Sequence, residues 1–499
     1  MTDTTFDRDD PAPFVFDNTF AREMKGFWVH ARPARASAPR LLAFNGALAE
    51  ELGLEAELLD SELGARLFAG AELPPGAEPL AQVYAGHQFG GFAGRLGDGR
   101  AMLLGEVIDR AGARRDIQLK GSGPTTFSRG GDGLSGLGPV LREYLLGEGM
   151  HALGVPTTRA LAAVTTGETV YREGPIPGAV LTRVAASHVR VGTFQYFAWQ
   201  GDQERVQKLA DYVLARHDPE LVGQAGQYLS LLEAVCERQA YLIARWMQVG
   251  FIHGVMNTDN VAISGETIDY GPCAFMDRYA PETVFSSIDS NGRYAYGRQP
   301  EMAMWNLSRF AETLLPLLDS DAERAAASAT AAVESFGPRY EAHWLSGMRA
   351  KLGMRTERDG DKQLVGDFLS ALHDSQVDFT LAFRGLAQAV LGDRKALRSL
   401  FACAESIDAW LQRWDERLGL EGVQATARAE TMRCVNPAFI PRNHKVEEAL
   451  EAAVERSDLG PFRELLEVIR RPFDEQPGRE AYLVPAPLDG DPYQTFCGT

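Results

Sequence analysis

The sequence predicts an α+β fold in two lobes, a small β-rich one followed by a larger helical one, with an extension at each end. Three observations lead to it. Runs of alternating or β-branched residues, separated by glycine turns, crowd residues 101 to 184. Amphipathic helical patterns dominate from Leu229 onward. Between them lies a stretch that is neither, His253-Gly-Val-Met-Asn257-Thr-Asp259-Asn260 through Asp269-Tyr270-Gly271. It reads as a turn rich in acids and amides, a β-hairpin built on Val261-Ala-Ile263, and a second acid on a turn. The expected units are an N-terminal extension over 1–80, a β-rich lobe over 81–200, a helical lobe over 201–400, and a helical C-terminal extension with a tail over 401–499. A chain of this length fits about two to four such units.

In chain order, residues 1–80 mix irregular and helical segments. Leu41-Leu-Ala-Phe44 and Ala47-Leu-Ala-Glu50-Glu-Leu52 together suggest a helix closed by Gly53, with Phe14, Phe16 and Trp28 packing it onto the body. Tyr84 to Arg100 holds six glycines, Gly97 and Gly99 among them, and leads into the strand Ala101–Ile108. Backbone N–H groups in such a loop can approach an anion closely, although a plain surface loop has the same composition. Asp116-Ile-Gln-Leu-Lys120 alternates, so Ile117 and Leu119 are buried and Lys120 lies on the opposite face, beneath the glycine loop. A lone strand lysine more often faces water. Glu143, on a helix with the apolar stripe Val140, Leu141, Tyr144 and Leu145, is a partner that could hold it. The glycine-rich link between them carries Asp132 and Gly133 and is expected to contact a nucleotide.

Residues 161–166, 168–172 and 179–184 read as strands, with a hairpin turn at Gly167. Arg183 and Arg190 follow; each could pair with a surface acid or hold phosphate oxygens. Leu229–Val249 reads as a helix closed by Gly250 that delivers the chain to His253. Met302–Leu318 and much of 320–470 are helical, and the tail from Pro485 has turn composition.

The hydrophobic fraction of 45% and charged fraction of 24% fit a globular protein with a large core. A net charge of -18 argues against nucleic acid and against an anionic membrane as partners. The first ten residues are acidic without an apolar core, and no apolar run is long enough to span a bilayer, so a cytoplasmic location is expected. None of the five cysteines forms a CxxC pair, which removes the usual zinc signature. Cys236 and Cys403 sit in helical patterns and are expected to be small core residues.

The central stretch resembles the protein-kinase catalytic loop, His-Arg-Asp-x-x-x-x-Asn, and the Asp-Phe-Gly that follows it. Aligned on His253, Asn260 falls on the metal-binding Asn and Asp269 on the metal-binding Asp, while Val255 takes the place of the catalytic Asp. Lys120 followed by Glu143 repeats the order of the kinase ion pair. This implies a protein-kinase-like bilobal fold that keeps its metal ligands and lacks the usual base. Tyr84-Ala-Gly-His-Gln-Phe-Gly, Gln118-Leu-Lys-Gly-Ser-Gly, His253-Gly-Val-Met-Asn-Thr-Asp-Asn and a Cys third from the end resemble more specifically the SelO (selenoprotein O, YdiU) protein adenylyltransferases, over most of the chain.

That resemblance implies a pseudokinase that transfers AMP from ATP, bound in a flipped orientation, to Ser, Thr or Tyr hydroxyls of proteins and to itself, releasing pyrophosphate. It implies Asp259 as general base and Asn260 and Asp269 as ligands to Mg²⁺ or Mn²⁺. It places Gly97, Gly99, Arg100, Lys120, Asp132, Gly133, Arg183, Arg190 and Asp269 at the nucleotide, with UTP as an alternative donor. It also implies a reversible disulfide between Cys273 and Cys497. From the residues alone Asp259 could instead cap a turn. A kinase-like phosphotransferase with an unusual base, or an inert nucleotide-binding scaffold, are the competing readings.

Overall fold

The computed structural model describes residues 13–487 and 493–496. An antiparallel sheet is followed by a helical region. Strands β1 (Trp28–His30), β2 (Arg40–Phe44), β3 (Leu80–Gln82), β4 (Gly86–Gln88), β5 (Gly91–Ala93), β6 (Ala101–Ile108), β7 (Arg114–Lys120), β8 (Ser135–Gly136), β9 (Arg159–Tyr171) and β10 (Pro175–Ala185) precede the long helices. Seven of them pair in the order β1-β3-β6-β7-β10-β9-β2; β8 adds to β10, and β4 and β5 form a separate hairpin.

The alternation expected for β7 holds. Ile117 and Leu119 belong to a buried apolar layer with Leu48, Leu52 and Phe68 of the N-terminal helices. The other face is also buried, since Asp116 and Gln118 are almost fully covered. In the ladder Lys120 lies between Ala101 and Leu181. The helix Leu137–Ala152 covers this second face and carries Glu143 toward it.

Three local expectations are corrected. Residues 40–44 form an edge strand paired with β9, not the start of a helix, and the helix is limited to Gly46–Glu51. Gly167, at φ 80°, is passed within the continuous strand β9, so the hairpin turn lies at 172–174. The segment 261–269 is not a hairpin: Ala262 bridges to Arg190, at the start of the helix Val191–Trp199, and Thr267 bridges to Thr157, just before β9, so each limb is held elsewhere. The chain does double back, but through β11 (Phe251–Ile252) pairing with β12 (Ala274–Phe275) outside that segment.

The helix Gln227–Val249 ends at Gly250, φ 74°, as expected. Helices continue to Gly460–Ile469. The last two, Asn443–Arg456 and Gly460–Ile469, return to pack on Leu137–Ala152, with the Tyr144 and Phe462 rings 6.0 Å apart. Among the described residues no helix is long and apolar enough to cross a membrane.

Lys351 closes the helix Phe336–Lys351 in the interior. It is 4% exposed, with no carboxylate in ion-pair range among the described residues. The Phe383 and Phe379 rings lie 4.3 and 5.4 Å from Nζ. Burial, with Arg245 adding to it, lowers the ammonium pKa to about 7. The unfolded chain therefore binds more protons than the folded one between about pH 7 and 10.5, and folding stability contributed here rises across that window. Lys351→Met is expected to stabilise the protein by on the order of 2–3 kcal/mol at pH 7, after allowing for the lost cation–π contacts. The gain should shrink as pH rises toward 10. Denaturant melts of both proteins across this range check it; a pH-independent difference would contradict the assignment.

Candidate active site

Asp269 is the hub of the site. Its backbone sits at φ 64°, in the left-handed region that non-glycine residues rarely enter. The strain is held on both sides. His253 is buried, its Nε2 2.9 Å from the Ile268 carbonyl, its ring stacked on Trp246 and its Nδ1 accepting from the Val255 N–H. The Tyr270 hydroxyl meets Thr157.

Three cations converge on the Asp269 carboxylate. Lys120 Nζ lies 2.5 Å from Oδ1 and Arg183 Nη1 2.8 Å from it, and Arg190 Nη1 lies 3.8 Å from Oδ2. Glu143 completes the cluster, at 2.6 Å from Lys120 and 3.2 Å from Arg183. Burial would push the Asp269 carboxyl up, but Lys120, Arg183 and Arg190 together hold it well below the usual carboxylate range. Both arginines are 2% exposed, and the acids they face, Asp269, Glu143 and Asp98, lie in this cluster and not on the outer surface.

Asp259 lies on the 3₁₀ turn Thr258–Asn260. The backbone of Gly86 and Gly192 presses against it; a Cβ at Gly86 would come within 2.4 Å of Asp259 Oδ1. That oxygen is buried without a hydrogen-bond partner, and burial raises the carboxyl pKa to about 6. The turn is tied to the cluster because Arg190 Nη1 donates to the Asp259 carbonyl at 3.0 Å. Asn260 turns its amide N–H toward the Val255 carbonyl (3.0 Å), which leaves Oδ1 for another partner.

A cavity of about 1340 Å³ joins these groups. Its walls include Gly97, Gly99, Arg100, Lys120, Asp132, Gly133, Glu143, Arg183, Arg190, Val255, Asp259, Asn260 and Asp269. Two glycine segments form one rim. Gly97, at φ 73°, lies where a Cβ would strike the Phe127 ring at 2.3 Å, and the Ser128 hydroxyl donates to the Gly99 carbonyl. Asp132 stands at the mouth, ion-paired to Arg172 at 2.9 Å. Among the described residues no group of three or more His, Cys, Asp or Glu is placed to hold a metal. Asn260 and Asp269 instead offer two oxygen donors on the cavity wall, a set that suits a small hard cation completed by water and phosphate oxygens.

A family profile described as Protein adenylyltransferase SelO matches residues 13–470. The chain belongs to the SelO family. It is 60% identical over 488 residues to a protein nucleotidyltransferase YdiU of Cereibacter sphaeroides, covering 97% of this chain and 100% of the relative. Proteins of the same name from Methylorubrum extorquens and Rhizobium rhizogenes are 57% and 56% identical, over 98% of this chain and 100% and 97% of theirs. The SelO-family protein is thus a nucleotidyltransferase, and its cavity is large enough for a nucleotide.

Within this SelO site several residues went unnoticed in the sequence. Asp98 is 2% exposed; its carboxylate accepts from the Gln82 N–H at 3.0 Å and lies 3.8 Å from Arg190. Tyr84 stacks under the Arg190 guanidinium at 4.4 Å. Arg142 donates to the Gly271 and Cys273 carbonyls at 3.1 and 2.6 Å and so fixes the turn after Asp269. Asp98 lies between two glycines and Arg142 beside Glu143, which was the available signal. Cys273 is buried and its thiol is pushed up to about 12 by burial, while Cys497 lies outside the described residues. Cys403, expected in the core, is exposed. It precedes the 3₁₀ turn Ala404–Ile407 instead of sitting on a buried helix face.

Proposed function

We propose that this cleft transfers AMP from ATP to Ser, Thr or Tyr hydroxyls of proteins, its own included, with release of pyrophosphate. The observation that carries the reading is the pair of residues facing the cavity at 255 and 259. The kinase base position holds the apolar Val255, and the carboxylate next to Asn260 is Asp259, buried with a free oxygen. A base moved along the turn suits a nucleotide that presents its α-phosphate.

In this mechanism Asp259 takes the proton of the acceptor hydroxyl as its oxygen attacks the α-phosphorus. The bond to the β-phosphate oxygen breaks and pyrophosphate leaves. Lys120, Arg183 and Arg190 stabilise the charge on the phosphates, and Glu143 keeps Lys120 pointed at them. Gly97, Gly99, Arg100, Asp132 and Gly133 line the nucleotide's binding space. Asn260 and Asp269 would hold Mg²⁺ or Mn²⁺, which when bound neutralises phosphate charge.

The surrounding architecture is read as kinase-like, with a smaller lobe over 81–200, a larger one over 201–400 and extensions outside them. UTP as donor fits the same polar walls. Thr495, two residues before Cys497, donates to the Pro272 carbonyl beside Cys273, which supports a reversible disulfide between the two cysteines as a regulatory bond.

The test is the position of the label. With a protein acceptor, α-³²P-ATP should label the acceptor and γ-³²P-ATP should not. Label from the γ position would mean phosphorylation. No label from either, with ATP bound, would mean a scaffold.

A further inference from the structure

Beside Asp259, outside the polar cavity, the hairpin β4–β5 carries a row of aromatic side chains. At its tip Phe89 has φ 51°, a left-handed backbone that costs a phenylalanine roughly 1–2 kcal/mol, and Gly90 follows at φ 86°. The tip is bound to the catalytic turn. The Phe89 N–H donates to Asn257 Oδ1 at 3.0 Å, and the Tyr294 hydroxyl, whose ring packs on Phe89, donates to the same oxygen at 2.8 Å. The His87 N–H donates to the Thr258 hydroxyl at 2.7 Å. The residues just before Asp259 thus fix the hairpin, and the hairpin presents its aromatics to solvent.

From the tip the row is continuous. Phe92 is 41% exposed and meets Trp199, 62% exposed, edge-on at 5.9 Å. The His87 ring bridges Phe92 and Trp305. Two arginines lie over Trp305, Arg293 at 4.8 Å and Arg309 at 5.3 Å. Arg309 is neutralised by Glu312 at 2.6 Å. Among the described residues Arg293 has no carboxylate in ion-pair range, and its Nε is buried without a hydrogen-bond partner. In a chain of net charge -18, an arginine without an acid partner at the end of an exposed aromatic row marks a surface complementary to an acid.

We propose that this platform docks the acceptor: a protein segment with an aromatic residue beside the modified hydroxyl and a carboxylate beyond it. The aromatic side chain covers Phe92 and Trp199, and the carboxylate pairs with the Arg293 guanidinium. The inference rests on the AMP-transfer reading and names its acceptor class.

Fluorescence anisotropy with two labelled peptides tests it: Gly-Ser-Phe-Glu-Asp-Gly and the same peptide with lysines for both acids. Wild type should bind the acidic peptide about tenfold more tightly than the basic one. Arg293→Glu should reverse that order, and Phe92→Ser should weaken both, with ATP affinity and melting temperature near wild type in each variant. Equal binding of the two peptides, or unchanged acidic-peptide binding in both variants, would overturn the proposal. So would a dimer in sedimentation that Arg293→Glu disperses while neither peptide binds, since the occupant would then be a second copy. Preferential acidic-peptide binding without transfer from α-³²P-ATP upholds the platform and removes the AMP reading. Transfer to protein with unaltered peptide binding in both variants removes the platform and leaves the AMP reading.

Discussion

Asp269→Ala is expected to lower nucleotidyl transfer by about 10³-fold or more. The carboxylate lies within 4 Å of Lys120, Arg183 and Arg190, and it is one of the two oxygen donors proposed above for a divalent cation. Removing it leaves three cations facing one another with Glu143 and Asp98 as remaining acids. Losing one partner of such a buried network costs about 3–5 kcal/mol of stability. A dead variant could therefore be an unfolded one. Asp269→Asn keeps the shape, and a melting curve beside an ATP-binding titration separates the two causes. A folded Asp269→Asn protein that turns over like wild type would remove Asp269 from the chemistry.

Asp259→Asn should lower transfer by about 10²–10⁴-fold, the usual contribution of a positioned base, while ATP binding persists. The separation follows from geometry. Arg190 contacts residue 259 through its backbone carbonyl, which asparagine retains, so the cations around Asp269 keep their places. What is lost is an oxygen able to take a proton. The amide also fits the tight space against Gly86 better than a larger side chain would. Incorporation of α-³²P, set against equilibrium ATP affinity, reads the two effects apart. Turnover near wild type would mean that Asp259 merely shapes the turn.

Lys120 and Glu143 were legible in the sequence because each rests on a local pattern, a strand alternation and a helix stripe, and the structure places them 2.6 Å apart. The spacing brought Asn260 and Asp269 to one cavity, where both line the wall, yet the expected hairpin between them was not found. Val261-Ala-Ile263 has hairpin composition, but Arg190 and Thr157 bond its two limbs, and such distant partners leave no trace in a local window. The edge strand at 40–44 escaped for the same reason, its partner being β9. Gly167 shows another limit: a left-handed glycine serves a turn or a kink within a strand equally well. Tyr84 and Asp98 act on Arg190 through space, and nothing near them in the chain points to it.

The last two helices lie against the one that carries Glu143. The aim of Lys120 therefore depends on residues more than three hundred positions downstream. A fragment that stopped short of Asn443 would bare the Tyr144 side of that helix and leave the lysine's partner on a loosened support. The Lys120–Glu143–Asp269 cluster is not a cassette that can be lifted out of this protein, and a ribosome must finish nearly the whole chain before its support is in place.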